Sequence, residues 1–487
     1  MFEVLAALCQ LNESRPQDHA FSQDDRTLPY AELAQSVGGL SQELEATNAN
    51  TTAIFAPNGL EWVIADLSVA FAGKTMVPLP TFFSEIQLRH IIQDAGVDRI
   101  LATRDTRAQA EALGPPVTEV ILDGPAAPLQ NGQNRGREAG RIIYTSGTTG
   151  TPKGVRLGDA QIGASAKGLM AASGACVEDR YLSVLPFSLL LEQVAGIAVP
   201  LLVGAPVSIA ANAAAAALQG DATPLMNAFE KTGATTSVLV PGLLDAWVKT
   251  LAATGNTAPS TLRFVAVGGA PVSQDLPQTA WKLGIPVHEG YGLSECCSVV
   301  SVNRPGLRTA NTTGQPIPGV TVTLEDGEIV VHGDTVMSGY LGRNDDPGGV
   351  WRTGDLGEFT PEGALRVLGR KDNLIVTQTG RNISPEWIES VCEASPDIYK
   401  AMLVQVDDRD LVLIVLIDPS SSRTTADITA HLRVQFATLP DYARAEHIAI
   451  IDAAETAENE LLTPLGDVRR TSCQAFAARW IDRQPAM

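Results

Sequence analysis

The stretch that most limits what this chain can fold into is Tyr144 to Val155, YTSGTTGTPKGV, led in by the run RIIY. Its twelve residues include three glycines, four threonines, one serine and one lysine. A backbone this rich in glycine leaves N–H groups free to face an anion, and the hydroxyls and the ammonium add further donors. That combination is a phosphate cradle. It is not the GxxxxGK[ST] loop, because two residues separate Gly150 from Lys153 and Gly154 follows the lysine where that loop needs a hydroxyl. A different nucleotide fold is implied.

At 487 residues the chain is long enough for two or three cores, and 45% hydrophobic with 18% charged residues is ordinary for a soluble globular enzyme. With 35 Lys and Arg against 55 Asp and Glu, the net charge of −20 disfavours nucleic acid or an anionic membrane as a general partner. Any anionic substrate must therefore be held by local groups. Cys9, Cys176, Cys296, Cys297, Cys392 and Cys473 form no CxxC pair and have no histidine at metal-ligand spacing, so reduced, mostly structural thiols in a cytoplasm are expected. The opening MFEVLAALCQLNESR carries Glu3 and too short an apolar run for a signal peptide, and reads as an amphipathic helix. From Ile197 to Leu218 the chain is nearly all apolar, but Pro200, Gly204, Pro206 and Asn212 interrupt it, which predicts a buried strand and helix rather than a membrane span.

Up to residue 140, helix-like stretches (Tyr30 to Glu45, Gly59 to Phe71, Ser84 to Ala95) alternate with β-rich runs (Thr52 to Phe55, Thr75 to Val77, Arg99 to Leu101), as in βαβ units on a parallel sheet. Gly, Pro, Gln and Asn accumulate between Ala110 and Ala139, a surface connection into the phosphate loop. Beyond the loop, strands at Ser237 to Val240 and Phe264 to Val267 again alternate with helices. Sites in open α/β sheets form outside the carboxyl ends of strands. VAVGGAP (265–271) and EGYGLSE (289–295) are junctions of that type. Residues 312–350 hold short strands (Val320 to Leu324, Glu328 to Val331) among Gly, Pro and Asp, as in a small barrel or antiparallel sheet. Past Asp372 the pattern predicts strands at Leu374 to Thr377, Leu411 to Ile417 and His447 to Ile451, and helices near Pro385 and over Thr425 to Phe436.

The phosphate-loop segment, with LPFSLLLEQ (185–193), YGLSE (291–295), GEIVVHG (327–333), WRTGDLGE (351–358), GRKDNLIV (369–376) and GRNISPEWIE (380–389), resembles in order the motif series of the adenylate-forming superfamily of acyl-CoA synthetases, luciferases and peptide-synthetase adenylation domains. The resemblance implies an α/β fold with a large domain of mostly parallel sheets and a small β-barrel-like part (1–368), a hinge (369–372) and a small mobile α+β cap (373–487). It implies ATP-dependent activation of a carboxylic acid as its adenylate, with Mg²⁺, and transfer to the pantetheine thiol of CoA or of an acyl or peptidyl carrier protein. By that resemblance Thr145, Ser146, Gly147, Thr148, Thr149, Gly150 and Lys153 hold phosphate, and Glu295 is the Mg²⁺ ligand. Tyr291 stacks on adenine, with Gly269, Gly292 and Ser294 beside the nucleotide. Asp355 and Arg370 take the ribose, a use suited to an acceptor-only carboxylate. Phe187, Leu189, Leu190, Val240, Gly268 and Ala270 wall the acid pocket, Asp372 is the hinge and Gly380 lines the thiol tunnel. Members that take amino acids have an Asp after the Phe, whereas Ser188 and three leucines stand here. A buried ammonium facing leucines is prohibitively unfavourable, so an apolar acyl, fatty or aryl acid is expected.

Two positions depart from the series. Leu189 stands where many relatives carry His or an aromatic. More consequentially, ENELLTPLGDVRR (458–470) matches the terminal T-P-x-G-K-V motif with Asp467 in place of the catalytic lysine, and no Lys lies beyond Lys400. Losing one such donor costs roughly 10²- to 10³-fold, and a carboxylate adds repulsion. An arginine (Arg469 or Arg470) substitutes, or the thioester half-reaction dominates, or the chain is a variant blocked in adenylation; a catalytically silent adenylate-binding homologue is the rival reading.

Overall fold

The computed structural model describes residues 1–129, 140–145, 152–273, 275–343, 346–376, 381–395, 397–406, 410–418, 421–437, 439–462 and 468–483. Two large sheets dominate it. The nine-stranded sheet runs Gln315–Pro316, Ser301–Val302, Val287–Tyr291, Phe264–Val267, Thr236–Leu239, Tyr181–Ser183, Val207–Ile209, His19–Gln23, Arg26–Pro29. From Val287–Tyr291 through His19–Gln23 every neighbour is parallel. The six-stranded sheet runs Val117–Glu119, Arg99–Ala102, Thr51–Phe55, Thr75–Pro78, Gly140–Thr145, Lys153–Gly158, parallel except for the last pair. The connecting helices include Tyr30–Glu45, Leu60–Phe71 and Glu85–Asp94, close to their sequence-based bounds. The last of these starts at a Ser84–Gln87 capping box, which satisfies donors that a helix start leaves open.

Val320–Glu325, Glu328–Gly333, Val350–Phe359 and Leu365–Arg370 form a four-stranded antiparallel sheet. The last sheet joins Ile398–Val406, Asp410–Ile417 and His447–Ile451. Its central strand, Asp410–Ile417, reads as a nearly continuous apolar run because both faces are covered. Ala401, Leu403, Leu411 and Leu413 pack into one core with Ile388 and Leu432, while Met402, Val404, Val412 and Ile414 pack into another with Cys473 and Phe476. The fold class is therefore α/β with a smaller α+β part, as expected.

Among the described residues no helix is long and apolar enough to cross a membrane. The apolar stretch around Ile197 to Leu218 is divided among a π-helical turn (Gln193–Ala198), a helix (Val199–Val203), a buried strand (Val207–Ile209) and a helix (Ala211–Leu218). The π-turn was not foreseen, because an extra residue in a turn leaves the apolar pattern unchanged.

Just ahead of that turn Glu192 is 0% exposed and accepts a hydrogen bond from the Tyr181 hydroxyl at 3.1 Å. Gly196 permits the approach, since a Cβ there would lie 2.7 Å from Glu192 Oε1. Burial pushes the Glu192 carboxyl up from 4.5 to about 8, against the opposing hydrogen bonds. Between those two values the unfolded chain is ionised and the folded chain is protonated, so this group makes stability fall as pH rises through that window and level off above it. Glu192→Gln is expected to match the parent at pH 5 and to exceed it by roughly 4 kcal/mol at pH 8. Urea denaturation at the two pH values checks this, and parallel pH profiles for the two proteins would contradict it.

Candidate functional site

Four adjacent parallel strands, Tyr181–Ser183, Thr236–Leu239, Phe264–Val267 and Val287–Tyr291, end side by side. Their carboxyl ends bring together Phe187 to Leu190, Val240, Gly268 to Ala270 and Tyr291 to Glu295, the segments singled out from sequence. Leu189 and Val240 are half-buried, Leu190 is buried, and Gly269 and Ala270 are exposed. Phe187 is 0% exposed, its ring stacked on Trp62 at 5.3 Å. Its ring therefore lies in the core, and its backbone marks the site edge. Gly292 cannot carry a side chain: a Cβ there would lie 1.5 Å from the Ser298 carbonyl oxygen. The turn that follows puts Ser294 and Glu295 in a single 3₁₀ turn, Ser294–Cys296.

The antiparallel sheet supplies the opposite wall. Asp355 pairs in register with Arg370. Its Oδ2 accepts from the Tyr291 hydroxyl at 2.5 Å, and its Oδ1 lies 3.0 Å from Arg370 Nη1. Burial pushes the Asp355 carboxyl up, while the Tyr291 hydrogen bond and the Arg370 charge oppose the rise. Burial first, then the Asp355 charge, pushes the Tyr291 hydroxyl far up, so it remains a donor.

A second cluster stands beside the first. The Tyr340 hydroxyl donates to Glu295 Oε1 at 2.8 Å, and the Met337 N–H donates to the Glu295 carbonyl at 2.8 Å. Lys153 Nζ lies 5.9 Å and Arg343 Cζ 5.4 Å from the centre of the Tyr340 ring, within cation–π range. Thr145 is the register partner of Lys153 across the hairpin. Tyr340 was missed in the sequence; its one local signal is an aromatic residue between Gly339 and Gly342 in a polar, turn-rich stretch. Asn58 and Gln193, which hold the Leu185 to Phe187 segment from behind, and Arg141, which donates to Gln193, were missed too.

Ser146, Gly147, Thr148, Thr149, Gly150, Gly380 and Asp467 lie outside the described residues. Asp372 is exposed in the 3₁₀ turn Lys371–Asn373. All six cysteines are unpaired and only Cys176 is not buried. Burial pushes the Cys297 thiol up to about 12, in keeping with structural thiols.

The two arginines after Asp467 differ. Arg470 donates to both oxygens of Glu389, to Glu386 Oε1 at 3.4 Å and to the Leu403 carbonyl at 3.0 Å. Among the described residues Arg469 makes one exposed pair, with Glu460 at 3.1 Å. Removing one partner of a buried ion pair leaves the other charge uncompensated, so Arg470→Met is expected to destabilise the 375–483 part by about 3 kcal/mol. Arg469→Met is expected to cost under about 1 kcal/mol. Denaturant unfolding of the two variants side by side tests this, and equal effects would contradict it.

The profile of the AMP-binding enzyme family matches residues 10–341. A 2-succinylbenzoate--CoA ligase of Bacillus cereus (strain Q1) is 30% identical over 407 residues, covering 77% of this chain and 79% of that protein. Its namesake from Bacillus licheniformis is 28% identical over 443 residues, covering 82% and 86%. Among solved structures, O-succinylbenzoate coenzyme A synthetase (MenE) from Bacillus subtilis in complex with AMP superposes with a TM-score of 0.80 at 22% identity, covering 96% of this chain and 97% of that one. The anthranilate CoA ligase AuaEII in complex with anthranoyl-AMP gives 0.85 at 17% identity, with 98% of each chain covered. Strand order, site and family profile lead to one conclusion: the chain belongs to the AMP-binding enzyme family.

Proposed function

We propose that this enzyme activates an aryl or apolar carboxylic acid with ATP as the acyl adenylate and transfers the acyl group to the thiol of CoA, an acid–thiol ligase reaction. The observation that carries the reading is Asp355 held between Tyr291 and Arg370 at the strand ends, beside the Glu295–Tyr340–Lys153 cluster. A carboxylate offers about four acceptor sites. Asp355 can therefore keep Tyr291 and Arg370 and still accept from both ribose hydroxyls, while the Tyr291 ring offers a face for adenine.

Mg²⁺ fits this donor set. Among the described residues no group of three or more His, Cys, Asp or Glu could hold a metal. One carboxylate, Glu295, suits Mg²⁺, which takes most of its ligands from phosphates and water. Bound there it screens charge on the phosphates. Lys153, facing Thr145 across the hairpin that leads into the glycine-rich segment, adds a cation to the same task.

In the first half-reaction a carboxylate oxygen of the acid attacks the α-phosphorus of ATP, and the bond to the bridging oxygen breaks as pyrophosphate leaves. In the second the thiol sulfur attacks the acyl carbon, the bond to the phosphate oxygen breaks, AMP leaves and the thiol proton passes to solvent. The chain's own part is to align the acid and the α-phosphate, to hold the phosphate charge and to keep the ribose fixed. The relatives named for 2-succinylbenzoate and anthranilate support an aryl acid and CoA; a fatty acid and a carrier protein are the other members of the acid and acceptor panels. Asp467 supports a second reading, in which the thioester half-reaction is the faster one.

Pyrophosphate release and thioester formation with 2-succinylbenzoate, anthranilate, benzoate, fatty and amino acids, using CoA and a phosphopantetheinylated carrier protein, test the proposal. Aryl or apolar acids are expected to lead, and a leading amino acid would overturn the substrate class. Failure to bind ATP or an acyl-sulfamoyl adenosine would overturn the activity. Asp467→Lys is expected to raise the single-turnover adenylation rate by on the order of 10²-fold while leaving thiolysis of supplied acyl adenylate unchanged. Equal effects on both steps would mean that residue 467 does not meet the α-phosphate.

A further inference from the structure

Gln193 opens the π-helical turn Gln193–Ala198 and its side chain is 2% exposed. Its carboxamide oxygen accepts from Arg141 Nη1, and its Nε2 donates to the Phe187 carbonyl at 2.8 Å. The two partners belong to different halves of the site. Arg141 lies on strand Gly140–Thr145, four residues before Thr145 and on the same strand face. Its guanidinium is fixed by Asp66, with Nη2 3.0 Å from Oδ1 and 3.1 Å from Oδ2, and both residues are buried. Phe187 lies on the segment that ends the acid side. Its N–H donates to Asn58 Oδ1 at 2.6 Å, and Asn58 Nδ2 donates to the Leu185 carbonyl at 2.5 Å. Held from two sides, that segment is joined to the phosphate-side strand through the Gln193 carboxamide.

We propose that Gln193 is a positioning residue for adenylation: its two hydrogen bonds set the spacing between the acid-side segment at Phe187 and the strand that carries Arg141 and Thr145 to the phosphates. The inference rests on the adenylation reading above. Two separate reactants must meet within about 3–3.5 Å, and a misplacement of about 1 Å costs on the order of 10²-fold. The second half-reaction lacks this requirement on the enzyme. In the acyl adenylate the acid and the phosphate are already one molecule, so their spacing no longer depends on Gln193.

Two variants test it. Gln193→Met keeps length and bulk and removes both hydrogen bonds. Gln193→Glu keeps an acceptor for Arg141 and turns a carboxylate oxygen toward the Phe187 carbonyl, so the strand partner is retained and the acid-side bond is lost. Each is made in the parent and in the Asp467→Lys chain, so that a slow first step in the parent does not hide a loss. Both variants are expected to lower single-turnover pyrophosphate release at saturating ATP and acid by roughly 10- to 100-fold. Equilibrium ATP binding and the thiolysis of supplied acyl adenylate are expected to stay within about twofold of the parent. Equal losses in the two half-reactions, which a general loosening of the fold would produce, would overturn the proposal, as would unchanged adenylation. Failure of the underlying reading would show differently: neither the parent nor the Asp467→Lys chain would then form adenylate or thioester from any acid.

Discussion

Arg141 is a cation buried between the six-stranded sheet and the turn that covers the nine-stranded one, and the arrangement of the two sheets depends on its being satisfied. Taking a guanidinium out of water costs several kcal/mol after relaxation, a cost offset only where geometry and extra hydrogen bonds are good. Here Asp66 supplies the countercharge and Gln193 a further acceptor. Burial pushes the Asp66 carboxyl up, and the Arg141 charge and hydrogen bond are the main influences opposing the rise. The pair is therefore mutually required. A shift of one sheet against the other would part Arg141 from Gln193 and leave a polar group unmade in the core, which is more costly than the bond itself is favourable.

The parallel architecture was legible because it is written in local pattern. Strands buried on both faces read as short apolar runs, and the helices between them carry a 3.6-residue period and end near Gly or Pro. The bounds of Tyr30–Glu45, Thr425–Phe436 and Phe264–Val267 follow from such signals alone. The motif residues Tyr291, Asp355 and Arg370 were singled out through their motifs, and the structure brings them together, with Glu295 on the turn that follows Tyr291. Tyr340, Asn58 and Arg141 were not. Tyr340 meets Glu295 across 45 residues, Arg141 meets Gln193 across 52, and Asn58 meets Phe187 across 129. No periodicity encodes such a meeting. A lone polar residue in an apolar run looks the same whether its partner is water or a buried carbonyl, so the fold has to be known first.

A chain with a charge of −20 that binds an anionic nucleotide must gather its cations. It does so by pairing most of them at the site with groups that orient them. Arg370 is set by Asp355, Lys371 by Glu328 at 3.2 Å, and Lys153 and Arg343 flank the Tyr340 ring. Long-range attraction is thereby given up for direction, because exposed charges are screened within about 8–10 Å in ordinary salt while preorganised donors at short range are not.

The same reasoning narrows what the carboxylate at residue 467 can mean. Leu462 and Val468 pair as an isolated bridge, and the Arg469 N–H donates to the Leu461 carbonyl at 2.9 Å, so both flanks of the motif are fixed to one another. Arg470 could serve as the missing cation only by leaving the buried Glu389 without its countercharge, held by the Leu403 N–H, with the Leu403 carbonyl deprived of a donor. That costs several kcal/mol, more than a replaced catalytic donor regains. Among the described residues Arg469 gives up an exposed pair with Glu460, worth under about 1 kcal/mol. If an arginine takes the lysine's place, it is therefore Arg469. Otherwise the first half-reaction would proceed without that cation, leaving Lys153, and a metal if Glu295 holds one, to offset the phosphate charge.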